Sequence, residues 1–94
     1  MVIEGFIWLD WVVDKLWFKH KITIEEVEEV FRNRPKFLKK EKGRVEGEHV
    51  YNALSQTDAG RYLSVYFVYK LTKQALIITA RDMNQKERRN YARK

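Results

Sequence analysis

Ala75-Leu76-Ile77-Ile78-Thr79-Ala80-Arg81-Asp82-Met83-Asn84-Gln85-Lys86-Glu87-Arg88-Arg89-Asn90-Tyr91-Ala92-Arg93 reads as a strand handed directly to a helix, and the rest of the chain is organised around that junction. Ala75 to Ala80 is apolar and β-branched, the composition of a central strand, and it ends on Arg81. Asp82-Met83-Asn84 then turns the chain. Gln85 to Arg93 consists mostly of residues that tolerate a helix, with Asn84 as its N-cap and Glu87 returning the capping bond. Arg88 and Tyr91 share a face of that helix, and Asn84 lies on the same face one turn earlier. A strand end and a helix start that jointly present Arg81, Arg88 and Tyr91 suit a phosphate, which guanidinium groups bind bidentately. Lys86 and Arg89 add positive charge for a polyanion. The same residues fit equally well a solvated basic helix whose cations complement the C-terminal end of its dipole.

Upstream, Thr57-Asp58-Ala59-Gly60 is a hairpin turn between two alternating stretches, Glu48 to Gln56 and Arg61 to Lys70. Leu63, Val65 and Phe67 are expected to face helices, leaving Tyr62, Ser64, Tyr66 and Val68 on the other side of the sheet. If that side is open, Tyr66 flanked by Arg61 and Lys70 can stack on a base, although ordinary sheet tyrosines outnumber stacking ones. Lys36 to Lys40 follows the second helix without an element of its own, and the charged Lys42-Gly43-Arg44-Val45-Glu46-Gly47 after it looks like a mobile strand connection.

The N-terminal third predicts a short strand over Val2 to Trp8 and two helices. The first runs from Asp10 to His20, with Leu9, Val12, Val13, Leu16 and Trp17 as its inward stripe. Trp11 and Phe18 fall on nearly the opposite side and predict an exposed aromatic patch, the usual mark of a protein interface; the bland reading is a loop covering them. His20, at the C-terminal end of this helix, fits a packed helix cap better than a catalyst and is kept as a secondary candidate. The only other histidine, His49, has no metal-ligand spacing to it, so no metal is expected. Thr23-Ile24-Glu25-Glu26 is a capping box that opens the second helix through Phe31, and Asn33-Arg34-Pro35 stops it. The order of elements predicts one α+β domain over residues 1–94, an antiparallel sheet with two N-terminal helices on one face and a C-terminal helix.

A chain of 94 residues with 45% hydrophobic residues and no low-complexity tract is globular with a thin core. Without cysteine it has neither disulfides nor thiolate zinc sites, and nothing argues for export. The N-terminus lacks a signal pattern and its apolar stretch is interrupted by Asp10, Asp14 and Lys15, so a cytoplasmic protein without a membrane span is expected. The net charge of +6 is split. Through Phe31 there are seven acids against three lysines, a net of −4, and from Arg32 onward sixteen bases against six acids, a net of +10. Positive charge concentrated in one part suits nucleic acid or an acidic partner.

Phe6-Ile7-Trp8, Lys19-His20 leading to Ile24-Glu25-Glu26-Val27 and Val30-Phe31, Ala53-Leu54, Thr57-Asp58-Ala59-Gly60-Arg61, and Ile77-Ile78-Thr79-Ala80-Arg81 with Glu87-Arg88 and Tyr91 span nearly the whole chain. On these residues the chain resembles the BrnT toxins of type II toxin-antitoxin systems, whose fold is similar to the RelE-type ribonucleases. It departs from the pattern where Lys21 stands at the usual glycine after Lys-His, where Leu9 follows Trp8, and where Leu16 takes the place of an asparagine. The resemblance implies a metal-independent endoribonuclease that cleaves messenger RNA without a cofactor and is neutralised by a cognate ribbon-helix-helix antitoxin, touching DNA only through that complex. On that reading Arg81 and Arg88 clamp the phosphate, Tyr91 positions or donates a proton, and His20, Glu87 and Lys86 are the other titratable candidates. The competing reading is a non-catalytic basic module that binds nucleic acid or antitoxin in transcriptional autoregulation.

Overall fold

The computed structural model describes residues 1–42 and 46–93. Its elements run β1 (Gly5–Ile7), α1 (Asp10–His20), α2 (Ile24–Arg32), β2 (Lys36–Lys42), β3 (His49–Gln56), β4 (Tyr62–Tyr69), β5 (Gln74–Asp82) and α3 (Gln85–Ala92). The α+β expectation is met: a five-stranded sheet in the order β1-β5-β4-β3-β2 carries α1 and α2 on one face and α3 on the other. Strands β2 to β5 are antiparallel. The edge differs from the all-antiparallel sheet read from sequence, because β1 pairs parallel with β5. Those three residues cover what would otherwise be the open edge of an apolar strand.

Period-two alternation sorts the sheet's side chains. Ala53, Leu63, Val65, Phe67, Ala75, Ile77 and Ala80 turn toward α1 and α2 and meet Val12, Leu16, Ile22, Val27 and Val30, all essentially inaccessible to solvent. Phe67 is the centre of an aromatic cluster, with ring centroids 5.1 Å from Phe31, 5.9 Å from Phe37 and 5.9 Å from Tyr51. On the opposite face, Leu54 and Ser64 are equally buried, and α3 lies against them.

Two inward positions expected on α1 are not core. Leu9 precedes the helix as its N-cap residue and Trp17 borders a shallow apolar groove with Val13, Ile22 and Ile24; they are 39% and 49% exposed. The helix packs mainly along β5, so its inward stripe narrows to the i, i+4 pair Val12 and Leu16. Helix α1 ends on Lys21 in the left-handed conformation, φ 54°, where a side chain costs about 1 kcal/mol over glycine. Helix α2 has the expected reciprocal capping box: Thr23 Oγ1 accepts from the Glu26 N–H at 3.1 Å and Glu26 Oε1 from the Thr23 N–H at 3.0 Å.

Lys36 to Lys40, which carries no element in the sequence reading, belongs to the edge strand β2. Lys36, Leu38 and Lys40 point to the α3 face while Phe37 joins the aromatic core, an alternation masked in the sequence by the density of lysines. Of the connection expected over Lys42 to Gly47, Lys42 closes β2 and Glu46-Gly47 form a turn; Gly43, Arg44 and Val45 lie outside the described residues. No helix among the described residues is long and apolar enough to cross a membrane.

Candidate functional site

Where β5 runs into α3, alternation turns Ala80 toward the helix pair, and Arg81, opposite Ser64 on β4, toward α3. Only Met83 and Asn84 separate β5 from α3, so the capping box returns Glu87 to the end of the strand. Asn84 Oδ1 accepts from the Glu87 N–H at 2.8 Å, and Glu87 Oε1 accepts from the Asn84 N–H at 2.9 Å. The same carboxylate receives Arg81 bidentately, Nη1 donating to Oε1 at 2.6 Å and Nη2 to Oε2 at 2.9 Å, while the Ser64 hydroxyl donates to Oε2 at 3.0 Å. Four donors saturate the lone-pair sites of one carboxylate. Burial pushes the Glu87 carboxyl up, but the bonds from Arg81, the Asn84 N–H and Ser64 outweigh it and hold the group below the usual carboxylate range. Arg81 Nη2 also donates to the Tyr66 hydroxyl at 3.3 Å, and the guanidinium carbon lies 5.8 Å from the Tyr66 ring centroid.

This ion pair forms part of the wall of a cavity of about 250 Å³ between α3, β5 and the β2 edge. Lys40 and Lys86 bring two further cations to it, against the single carboxylate of Glu87; Tyr66, Asn52 and Asn90 complete its polar wall. Lys36 Nζ donates to the Asn90 carbonyl at 3.1 Å and to its side-chain oxygen, tying the end of α3 to β2. Such a cavity can hold one anionic group with its charge neutralised from several sides.

The other residues singled out in the sequence are distributed around this centre. Arg88 lies over the Tyr62 ring, 3.9 Å from its centroid, and Tyr91 meets the same ring edge-on at 6.1 Å. Tyr62 and Tyr66 are four residues apart on one strand, roughly 13 Å. Arg81 and Arg88 thus share the α3 side of the sheet but stand over different tyrosines, not around one point. Arg89 is exposed on α3.

Arg61 works as a structural tie. Its Nε and Nη2 donate to Asp82 at 2.8 and 3.1 Å, its Nη2 to the His20 carbonyl at 2.8 Å, and its Nη1 to the Lys21 carbonyl at 2.8 Å. That bond from Arg61 is the main reason the Asp82 carboxyl lies below its usual range. His20 therefore stands at the junction of α1 with the end of β5, outside the residues lining the Arg81 cavity. Lys70, at the far end of β4, donates to Glu48 at 2.7 Å. The cation beside Tyr66 is Arg81; Arg61 and Lys70 lie at opposite ends of the strand. Trp11 and Phe18 are 59% and 75% exposed.

Sequence reading missed Lys40, Asn52, Ser64 and Asn90. The first was legible as a lysine in phase with Lys36 and Leu38. Asn52 was legible as a polar residue of low strand propensity in the middle of β3. Among the described residues no three histidine, aspartate or glutamate side chains gather as a metal site needs.

Comparison with curated proteins finds no match. A family model described as "Ribonuclease toxin, BrnT, of type II toxin-antitoxin system" matches residues 11–87, from the first turn of α1 through the carboxylate that holds Arg81. With more than half of its length matched, the chain belongs to the BrnT family of ribonuclease toxins of type II toxin-antitoxin systems.

Proposed function

We propose that the protein is a metal-independent endoribonuclease that cleaves messenger RNA in the cytoplasm and so arrests growth, with the Arg81 cavity as its reaction site. The observation that carries this reading is a guanidinium fork fixed by Glu87 on the wall of a cavity bearing two more cations. In the reaction the ribose 2′-hydroxyl loses its proton and bonds to the neighbouring phosphorus. The bond to the 5′-oxygen breaks and that oxygen takes up a proton, leaving a cyclic phosphate and a 5′-hydroxyl. Negative charge builds on the phosphoryl oxygens, where Arg81, Lys40 and Lys86 stabilise it. Arg88 over Tyr62 meets a neighbouring phosphate, Tyr91 positions the strand there, and Arg89 extends the basic track. Glu87, held low by its donors, is a poor match for a general base at neutral pH and acts by fixing the Arg81 plane. Of the titratable candidates only Lys86 lines the cavity, so proton transfer there falls to Lys86, while His20 and Tyr91 stand away from it.

The purified protein is expected to cut a defined single-stranded RNA with excess chelator present; RNA left intact under those conditions overturns the reading and supports a non-catalytic binding module. The pH profile tests the role given to Glu87. A carboxyl with a lowered pKa is ionised and stabilising above the usual carboxylate range, and that contribution is lost only as pH falls below it. Glu87 thus leaves no limb between about pH 5 and 8, and an activity that falls with Glu87 protonation only below that window fits its role of fixing Arg81.

We assign the exposed rings of Trp11 and Phe18 to the antitoxin, a ribbon-helix-helix protein through which the complex reaches DNA. Burying one ring contributes on the order of 2 kcal/mol, so Phe18→Glu is expected to weaken antitoxin binding about 30-fold while RNA cleavage is unchanged. Equal affinity of the two forms, measured by calorimetry, removes this face from the interface.

A further inference from the structure

Asn52, in the middle of β3, is completely buried and contributes to the wall of the Arg81 cavity. Its Nδ2 donates to Ser64 Oγ at 2.8 Å and to the Val65 carbonyl at 3.3 Å. Those neighbours fix which way the amide points. Ser64 directs its own proton to Glu87 Oε2 at 3.0 Å, and a carbonyl can only accept, so both must be met by the NH2 group. Oδ1 is left as an acceptor without a hydrogen-bond partner, one of two such buried side-chain atoms among the described residues. An unmet buried acceptor is costly and uncommon in folded proteins, so its position beside a cationic cavity points to a ligand that completes it.

The ligand has to bring a hydrogen-bond donor close to an anion. A cavity of about 250 Å³ lies below the usual range for a whole organic ligand, so it accommodates a sugar-phosphate joint with the base left outside. Within such a joint the donor adjacent to the phosphate is the ribose 2′-hydroxyl, which DNA lacks. Asn52 is also joined to the phosphate-holding groups by hydrogen bonds, through Ser64 to Glu87 and from there to Arg81. Reader and clamp therefore keep a fixed relation to each other.

We propose that Asn52 Oδ1 accepts a hydrogen bond from the ribose 2′-hydroxyl of the nucleotide whose phosphate enters the Arg81 cavity, and that this bond makes the site select RNA over DNA. An amide orients a hydroxyl but cannot take its proton, so Asn52 is a specificity residue and not the base. The proposal rests on the cavity being a nucleotide site, as in the nuclease reading, but not on cleavage.

The test uses ligands that cannot be cut. Uridine 3′-monophosphate and 2′-deoxyuridine 3′-monophosphate, with the adenosine pair as a control for the base, are titrated into the isotope-labelled protein and followed by NMR. The unmodified protein is expected to bind each ribose form about 5- to 30-fold more tightly than its deoxy partner, the range of one hydrogen bond to a buried acceptor. Asn52→Leu is expected to bind both forms with the affinity the unmodified protein shows for deoxy. Equal affinity of the unmodified protein for ribose and deoxy forms, a preference that follows the base and not the 2′ position, or no binding of either overturns the proposal. The comparison on the unmodified protein stands even if Asn52→Leu fails to fold. Discrimination without RNA cleavage sinks the nuclease reading and keeps this one; cleavage without discrimination does the reverse.

Discussion

Replacing Arg81 by alanine is expected to slow RNA cleavage by about 10²- to 10³-fold, the cost of removing one preorganised donor from a developing oxyanion. RNA affinity should fall much less, because Lys40, Lys86, Arg88 and Arg89 remain to meet the backbone. The substitution has a side effect that must be separated from chemistry. Glu87 loses its two guanidinium donors and keeps only Ser64 and the Asn84 N–H, so a largely buried carboxylate is left under-satisfied at the root of α3. That costs about 1–3 kcal/mol. Adding Glu87→Gln to Arg81→Ala removes the stranded charge and keeps a side-chain oxygen for the cap. The double variant is expected to regain stability without regaining cleavage. Arg81→Lys retains the charge but not the bidentate grip on Glu87, and its rate should fall between those of the unmodified protein and Arg81→Ala. Initial rates on one defined RNA, with melting temperatures alongside, decide the matter. If the single and the double variant both cut within threefold of the unmodified protein, Arg81 is not the phosphate ligand.

The largest stability effect is expected at Phe67. Its ring is fully buried and lies within 6 Å of three others, bridging β4 to α2, β2 and β3. Phe67→Ala removes the transfer free energy of the ring and leaves a cavity that rigid aromatic neighbours cannot collapse, about 3–5 kcal/mol together. A domain of this size has only about 5–14 kcal/mol of total stability. Thermal unfolding followed by circular dichroism is expected to shift down by roughly 15–30 °C. Phe67→Leu, which keeps most of the volume, should lose less than half as much. A shift below about 5 °C for the alanine variant means the cluster repacks and is not the keystone of the core.

Much of the fold was legible because its determinants are local. The capping boxes at Thr23–Glu26 and Asn84–Glu87 each need residues only three apart, and both formed as read. The apolar run of β5, the turn at Thr57 to Gly60 and the inward faces of Leu63, Val65 and Phe67 follow from composition and alternation within a single element. Where a segment's state depends on a distant partner, reading failed. Strand β2 is too rich in lysine to look like one and exists because β3 offers it an edge. Trp17 and Leu9 lie on the right side of a helical wheel, yet a wheel does not say how much of the helix the sheet underlies.

The site divides along the same line. From sequence alone came Arg81 as the cation at a strand end, Glu87 as a cap, and the two rings of α1 in the open, all consequences of periodicity and hydrogen bonds that reach no more than a turn along the chain. Only the tertiary structure decided that Glu87 grips Arg81 while capping its helix, that Arg88 belongs to Tyr62, and that Lys40 and Asn52 join the same cavity. The reason is physical: that cavity is assembled from β2, β3, β4, β5 and α3 by cross-strand register. Register is set by how the whole sheet buries its faces, a property of all its strands together and of none of them alone.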